Sequence, residues 1–305
     1  MTKKPIIIDT DPGIDDAVAL GIALFDESLD VKLITTVAGN VDVEKTTKNA
    51  LKLLEFWGKD IPVAKGSSSP LIRPLDNAAS VHGNTGLDGF DFDEPKIKPI
   101  EKNAVDAMRV TIMSSSVPIT LVAIAPLTNI ALLLSLYPEV KKNIEEIVIM
   151  GGSASRGNKT PMAEFNVAID PEAAKIVFKS GVKIIMCGLD VGREALIFPE
   201  DVDELKKMNR TGKMVFSLFQ HYRGGSLKTG LKMYDSCAIA YLLNSELYTA
   251  QECFVDVETA GELTSGCTVV DLRGYFKKLA NAKVCLEIDT NNFRKWFLNA
   301  LRKTI

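Results

Sequence analysis

The sequence predicts an α/β fold: a mostly parallel central sheet flanked by helices, in a Rossmann-like open arrangement, with the site at the C-terminal ends of the strands. Three observations predict it. Apolar runs of strand length alternate with stretches of helix length through the first half of the 305-residue chain, and that alternation builds parallel sheets covered by helices. Acids and glycines gather where those runs end, at Asp9-Thr10-Asp11-Pro12-Gly13, Ala38-Gly39-Asn40, Met150-Gly151-Gly152 and Gly188-Leu189-Asp190. Ligands of open α/β sheets sit beyond those strand ends. No linker, low-complexity segment or fixed-period repeat divides the chain, so residues 1–305 read as one domain.

Taken in order, Pro5–Asp9 is a short apolar run that ends in an acid, as a buried parallel strand would. Asp15–Phe25 is mostly apolar and of helix length. Val31–Val37 reads as the next strand and Val43–Trp57 as an amphipathic helix. Ile119–Ala125 is another β-rich run, followed by a helical Thr128–Leu136. Glu146–Met150 and Val182–Cys187 are further strands, with a helix at Pro171–Lys179 between them. The second half is more helical up to about Leu247. Phe254–Thr259, Cys267–Leu272 and Val284–Ile288 then read as strands, and Asn291–Lys303 as a closing helix. Asp76–Glu94 and Arg223–Tyr234 are polar, contain glycine and lack a period; long irregular stretches of that kind are often lids.

Composition excludes several classes. The 46% hydrophobic and 25% charged fractions are those of a globular chain, which rules out disorder and fibrous structure. Lysine and arginine number 36 against 39 acids, a net charge of −3, which argues against a nucleic-acid footprint. No apolar run approaches the ~18–20 residues of a membrane span. The basic N-terminus meets acids after three apolar residues, so it does not read as a signal peptide, and a cytoplasmic protein is expected. Cys187, Cys237, Cys253, Cys267 and Cys285 are odd in number and lack Cys-x-x-Cys spacing; reduced, mostly buried thiols are expected.

The most informative segment is Asp9-Thr10-Asp11-Pro12-Gly13-Ile14-Asp15-Asp16, with four carboxylates in eight residues after an apolar strand. Like charges this close raise each other's pKa, and a cation relieves the repulsion. Oxygen-only ligands favour a hard ion, Ca²⁺ or Mg²⁺, over zinc. On spacing alone, an Asp-x-Asp after a strand also opens phosphatases of the haloacid-dehalogenase type. Those need a small hydroxyl residue soon after the second acid, and Pro12-Gly13-Ile14 follows here. Glu164 and Asn166 flank Phe165, so on an extended segment they would share a face. Asp170-Pro171-Glu172 reads as a structural helix start.

The segment Asp9–Asp16 resembles the signature of the nucleoside hydrolases, which cleave the N-glycosidic bond of ribonucleosides. Other segments match that family in order: Val37-Ala-Gly-Asn40, His82-Gly-Asn-Thr-Gly86, Pro126-Leu-Thr-Asn129, Val148-Ile-Met-Gly-Gly152, Gly157 to Asn166, and Asp170 to Ala174. The stretches Cys187-Gly-Leu-Asp-Val, Asn209-Arg-Thr-Gly-Lys-Met and Gly266-Cys-Thr-Val-Val-Asp look like the bacterial subgroup of broad purine and pyrimidine specificity. The resemblance implies calcium-dependent hydrolysis of purine and pyrimidine ribonucleosides to ribose and base.

The resemblance also implies roles. Ca²⁺ would be held by Asp11, Asp16, the main-chain carbonyl of Ile124 and Asp235, and Asp11 would take a proton from the water on that ion. Asp15, Asn40, Asn158, Glu164, Asn166 and Asp235 would hold the sugar hydroxyls. His82 matches a position near the entering base. Many members carry His-Asp where this chain has Tyr234-Asp235, and that histidine serves the leaving base; Tyr234 therefore stands at a catalytic position with altered chemistry. A homodimer or homotetramer is implied, with a small-molecule ribonucleoside as partner and neither nucleic acid nor membrane. A non-catalytic nucleoside binder is the alternative that Tyr234 keeps open.

Overall fold

Nine strands form the central sheet of the computed structural model, which describes residues 3–305. Met1 and Thr2, which open the basic N-terminal stretch, lie outside the described residues. Across the sheet the strands run Thr268–Asp271, Tyr248–Val257, Ala282–Ile288, Ile184–Cys187, Ile144–Met150, Ile119–Ala123, Lys4–Thr10, Leu29–Thr36 and Val63–Lys65. From Ala282–Ile288 to Val63–Lys65 all neighbours are parallel. Tyr248–Val257 and Thr268–Asp271 add an antiparallel edge. The chain fills one side of Lys4–Thr10 first and then crosses to Ile119–Ala123 on the other. Strand order therefore reverses between those two strands, the place where such sheets open a crevice. Asp9 and Ala123 are in register there, so Asp11 and Ile124 leave the sheet side by side.

Both faces of the sheet are covered. Ile6 and Ile8 pack with the helices Ile14–Phe25, Arg210–Phe219, Tyr234–Leu243 and Thr290–Arg302. Ile7 points the other way, towards Ala104–Ser114, Thr128–Leu136 and Pro171–Phe178. Burial on two faces is why the central strands read as continuous apolar runs rather than as alternation.

The helices Val43–Trp57 and Thr128–Leu136 have the bounds that the sequence predicts. Of the expected strand Phe254–Thr259, Phe254–Val257 forms the end of Tyr248–Val257 and Glu258 and Thr259 lie beyond it; the first half of that strand alternates exposed and half-buried residues and so hides its strand character. A small three-stranded sheet of Leu196–Ile197, Gly230–Lys232 and Gly225–Ser226 is unforeseen, because strands of two or three residues carry no period. It turns part of the expected irregular stretch Arg223–Tyr234 into a hairpin. All five cysteines are free thiols, four buried and Cys267 half-buried. Among the described residues no helix is long and apolar enough to cross a membrane.

Candidate active site

The strand Lys4–Thr10 ends at Asp11-Pro12-Gly13, and the helix Ile14–Phe25 starts at once. Asp15 and Asp16 therefore fall in its first turn, where the helix dipole favours anions. Asp16 accepts the Gly13 N–H at 2.9 Å, one half of a capping box, and the Thr10 hydroxyl at 2.6 Å. The helix Tyr234–Leu243 packs against the first and places Asp235 in its own first turn. Carboxylate oxygens of Asp15, Asp16 and Asp235 lie within 4.8 Å of one another. Asp11 stands next to this trio, its Oδ2 accepting the Asn40 backbone N–H at 2.6 Å. A Cβ on Gly39 would sit 2.1 Å from that oxygen, so the turn approaches only because residue 39 is glycine.

The acids are not all in one cluster, as Asp9 shows. Its Oδ1 accepts from Thr35 Oγ1 at 2.5 Å and Asn129 Nδ2 at 2.8 Å. Thr35 is its register partner on the neighbouring strand, so Asp9 ties strand ends together beneath the site. The reading of four clustered carboxylates in Asp9–Asp16 is corrected to three, and Asp235 supplies the fourth from far along the chain.

A cavity of about 360 Å³ opens above this floor. Asp11, Asp15, Asn40, His82, Ile124, Asn158, Glu164, Asn166, Tyr234 and Asp235 all line it, whereas Asp16 lies behind its wall. Asn40 Nδ2 donates to the Asp11 carbonyl and to Asp16 Oδ2, each at 3.1 Å. Across the cavity, Glu164 is buried and accepts three backbone N–H groups, from Gly152, Asn166 and Val167, at 2.9 to 3.1 Å. The last two make it the N-cap of a helix, Phe165–Ile169. The extended segment expected at Glu164–Asn166 is therefore a capped helix start; five residues are too short to carry a helical period. Asn166 still shares the wall, with Nδ2 held by the Met150 carbonyl at 3.0 Å. Asp170 caps the next helix through the Ala173 N–H, as its structural assignment anticipates.

His82 ends a one-turn helix, Ala79–His82, inside the first irregular stretch, and it is buried. Its Nδ1 accepts the Ile14 N–H at 3.1 Å, which puts the ring proton on Nε2. Burial pushes its pKa down to about 4, so the ring is neutral at pH 7. Tyr222, which no sequence signal singles out, stands beside it with ring centres 5.7 Å apart. Its hydroxyl contacts Asp15 Oδ2 at 3.1 Å and the Lys232 carbonyl at 3.0 Å. Tyr234 packs its ring against Gly192, where a Cβ would meet Cδ1 at 2.4 Å. Among the described residues nothing bonds to its hydroxyl, and burial and the nearby Asp15 raise its pKa well above that of free tyrosine. Lys159 Nζ reaches Asp76 Oδ2 at 2.8 Å, clasping the loop after Ser153 to the first irregular stretch.

The floor suits a cation. Burial and mutual repulsion raise the pKa values of Asp11 and Asp235 well above normal, burial raises Asp15 to about 6, and burial with the neighbouring Asp15 charge raises Asp16 to about 6. Among the described residues no lysine or arginine pairs with any of the four. Nor does any described N–H donate to the Ile124 carbonyl beside them. Buried negative charge without a partner, presented only through oxygen, is the donor set of a hard divalent ion.

The model of the inosine-uridine preferring nucleoside hydrolases matches residues 6–295. The chain belongs to that family. This nucleoside hydrolase is 58% identical to the non-specific ribonucleoside hydrolase RihC of Salmonella paratyphi C over 291 residues, 95% of each chain. Among solved structures, a purine-preferring ribonucleoside hydrolase from Gardnerella vaginalis superposes with a TM-score of 0.91 at 28% identity, covering 98% of both chains. A plant nucleoside hydrolase superposes at 0.92 and 31% identity, covering 98% of this chain and 99% of the other. The mostly parallel sheet flanked by helices is the fold of these nucleoside hydrolases, and the chain is an enzyme of that class.

Proposed function

We propose that this nucleoside hydrolase cleaves the N-glycosidic bond of purine and pyrimidine ribonucleosides to ribose and free base, with Ca²⁺ as cofactor. In this reading residues 1–305 work as one domain, in the cytoplasm, as a homodimer or homotetramer. One observation carries it. A floor of unpaired buried carboxylates faces a wall of Asn158, Glu164 and Asn166 across a single cavity of about 360 Å³, within the roughly 300–1,000 Å³ of small-molecule sites. The name of the Salmonella relative, a non-specific ribonucleoside hydrolase, supports breadth in the base, and it agrees with that of the purine-preferring Gardnerella enzyme on the ribonucleoside.

Asp11, Asp16, Asp235 and the Ile124 carbonyl would hold the ion. When bound, Ca²⁺ would offset the buried charge, accept vicinal sugar hydroxyls in its flexible shell and acidify a water at the floor. Asp11, its carboxylate aimed by the Asn40 N–H at 2.6 Å, would take the proton of the attacking water. The glycosidic bond breaks towards an oxocarbenium-like sugar. Asp15, Glu164 and the amide oxygens of Asn40 and Asn166 surround that positive charge and stabilise it. Hydroxide adds to the anomeric carbon opposite the base and inverts it, and the base leaves with a proton. His82, neutral with its proton on Nε2, and the phenol of Tyr234 both line the cavity and would support the departing base as donors.

The test is incubation with uridine, cytidine, inosine and adenosine, assayed for ribose and free base. Phosphate release from nucleotides with Mg²⁺ would favour the phosphatase reading, and tight binding without turnover a nucleoside binder; either result without ribose release overturns the proposal.

Tyr234 sets the base preference. A histidine at this position, with a reference pKa of about 6.5, can hand a proton to the base, whereas tyrosine at about 10 stays neutral. Purines gain most from ring protonation. Tyr234→His is therefore expected to raise the inosine/uridine ratio of kcat/KM by about tenfold, since transfer is partial in the transition state. Tyr234→Phe, which removes one hydrogen bond, should lower both substrates by roughly three- to tenfold. A silent Tyr234→Phe together with an unchanged ratio in Tyr234→His would mean that the ring only packs.

Metal removal should make stability depend on pH. Burial raises Asp9 and Glu164 to about 7, and Asp15 and Asp16 sit at about 6, against ordinary values of 3.8 and 4.5. The folded state thus binds more protons than the unfolded one between those values, so stability falls as pH rises from about 5 to about 7. His82, lowered to about 4, opposes this as a single group. In chelator, Tm is expected to drop across that window; added Ca²⁺ should restore it at pH 7.5 and do little at pH 5. A metal-free Tm that is flat or rising from pH 5 to 7.5 would contradict the carboxylate floor as the metal site.

A further inference from the structure

A single helical turn, Leu189–Gly192, follows the strand Ile184–Cys187 and ends on Arg193. Its charged residues grip one loop from two sides. Asp190 accepts the Ala154 N–H at 2.7 Å and the Ser155 hydroxyl at 2.8 Å. Arg193 Nη2 donates to the carbonyls of Arg156 at 2.6 Å and Gly157 at 3.0 Å, and Nη1 reaches Ser155 Oγ at 3.3 Å. Every residue from Ala154 to Gly157 is tied to that turn by a charged side chain. The loop has no apolar anchor of its own: Ser155 and Arg156 are exposed, and Ala154 and Gly157 half-buried. Gly157 and Asn158 also donate their N–H groups to the carbonyls of Pro161 and Ala163, each at 3.1 Å, so the ties to the turn are what hold the outer part of the loop, Ala154–Arg156, against the conformational freedom of a surface loop.

Asn158 comes next in the chain and stands in the cavity wall. Its Oδ1 accepts the Phe165 N–H at 2.9 Å, and among the described residues its Nδ2 has no acceptor. In the ribonucleoside reading, a sugar whose vicinal hydroxyls meet the acid floor would turn its 5′-hydroxyl towards the wall of Asn158, Glu164 and Asn166. We propose that Arg193, backed by Asp190, is a positioning residue for recognition of the 5′-hydroxyl: it fixes Ala154–Gly157 so that Asn158 meets the sugar. This rests on the ribonucleoside reading of the cavity. Arg193 touches no substrate in it; its forked, charge-assisted bonds to two main-chain carbonyls are the part that a lysine cannot reproduce.

The test compares Arg193→Ala and Arg193→Lys with the wild-type enzyme on uridine and 5′-deoxyuridine, and follows amide hydrogen exchange of residues 154–159. Arg193→Ala is expected to lose about tenfold in kcat/KM on uridine, mostly through KM, and less than about twofold on 5′-deoxyuridine. Arg193→Lys should fall between, and it carries the comparison if the alanine variant does not fold. Exchange should quicken at 154–159 in both variants and stay unchanged in the central strands. Equal losses on the two nucleosides, no loss on either, or unchanged exchange in the loop each overturns the proposal. Ribose release by the wild-type enzyme is read separately: its absence would sink the hydrolase reading, while loop exchange would still decide whether Arg193 holds Asn158 in place.

Discussion

Asp11→Ala is expected to lower kcat on uridine by about 10³-fold or more, with the fold intact. Loss of a positioned general base alone removes ~10²–10⁴, and in the proposed mechanism the same carboxylate also holds the metal. The effect on stability should be modest because two consequences oppose each other. The buried Asn40 N–H loses its 2.6 Å partner, which costs about 1–3 kcal/mol. One of four mutually repelling carboxylates also disappears, and that relieves Asp16 and Asp235, whose pKa values are raised in part by neighbouring acids. Asp11→Asn keeps a carbonyl oxygen for Asn40 and should be as inactive while melting close to the wild-type protein. Steady-state turnover with a thermal melt decides it: near-wild-type activity in Asp11→Ala would end the assignment of Asp11 as base.

What was legible in the sequence follows from how locally each feature is encoded. Strands buried on two faces, such as Ile119–Ala123, must be apolar throughout, so composition alone exposes them. Val43–Trp57 carries its cap, Asp42, and its C-terminal Gly58 in the sequence, and its bounds were plain. Asp11, Asp15 and Asp16 were found because they are neighbours in the chain. Asp235, Asn158 and Ile124 came only through resemblance, since nothing local marks them, and the structure places all three around the cavity that the first acids open. Tyr222 and Arg193 went unread for the same reason: each acts through a contact far along the chain, to Asp15 in one case and to Arg156 and Gly157 in the other. Asp9 was misread because chain proximity does not say which way a side chain turns beyond a strand end. The segment around Glu164 reads as extended because a carboxylate capping a five-residue helix looks, in sequence, like any polar loop, while Glu164 itself lines the cavity as expected of a wall residue.

The second large expected effect is rejection of 2′-deoxyuridine by up to roughly 10⁴-fold in kcat/KM relative to uridine. The argument is one of matched donors and acceptors. Asn40 Nδ2 is committed to the Asp11 carbonyl and Asp16, and Asn166 Nδ2 to the Met150 carbonyl. What these amides offer the cavity is their carbonyl oxygens, beside the Asp15 carboxylate, and acceptors of this kind want hydroxyl donors. Asn40, Asp15 and Asn166 are all buried, between 5% and 6% exposed, so water cannot readily stand in for a missing hydroxyl. A nucleoside without its 2′-hydroxyl leaves a desolvated acceptor unpaired and, in the proposed mechanism, would take one oxygen away from the cation held at the floor, and both losses would grow as positive charge develops on the sugar. The deficit should therefore appear in kcat as well as in KM. An apolar slot could not discriminate in this way, because a missing hydroxyl leaves nothing unpaired there. Parallel progress curves on uridine and 2′-deoxyuridine decide the matter: rates within a few-fold of each other would mean that Asp15, Asn40 and Asn166 do not hold the ribose hydroxyls.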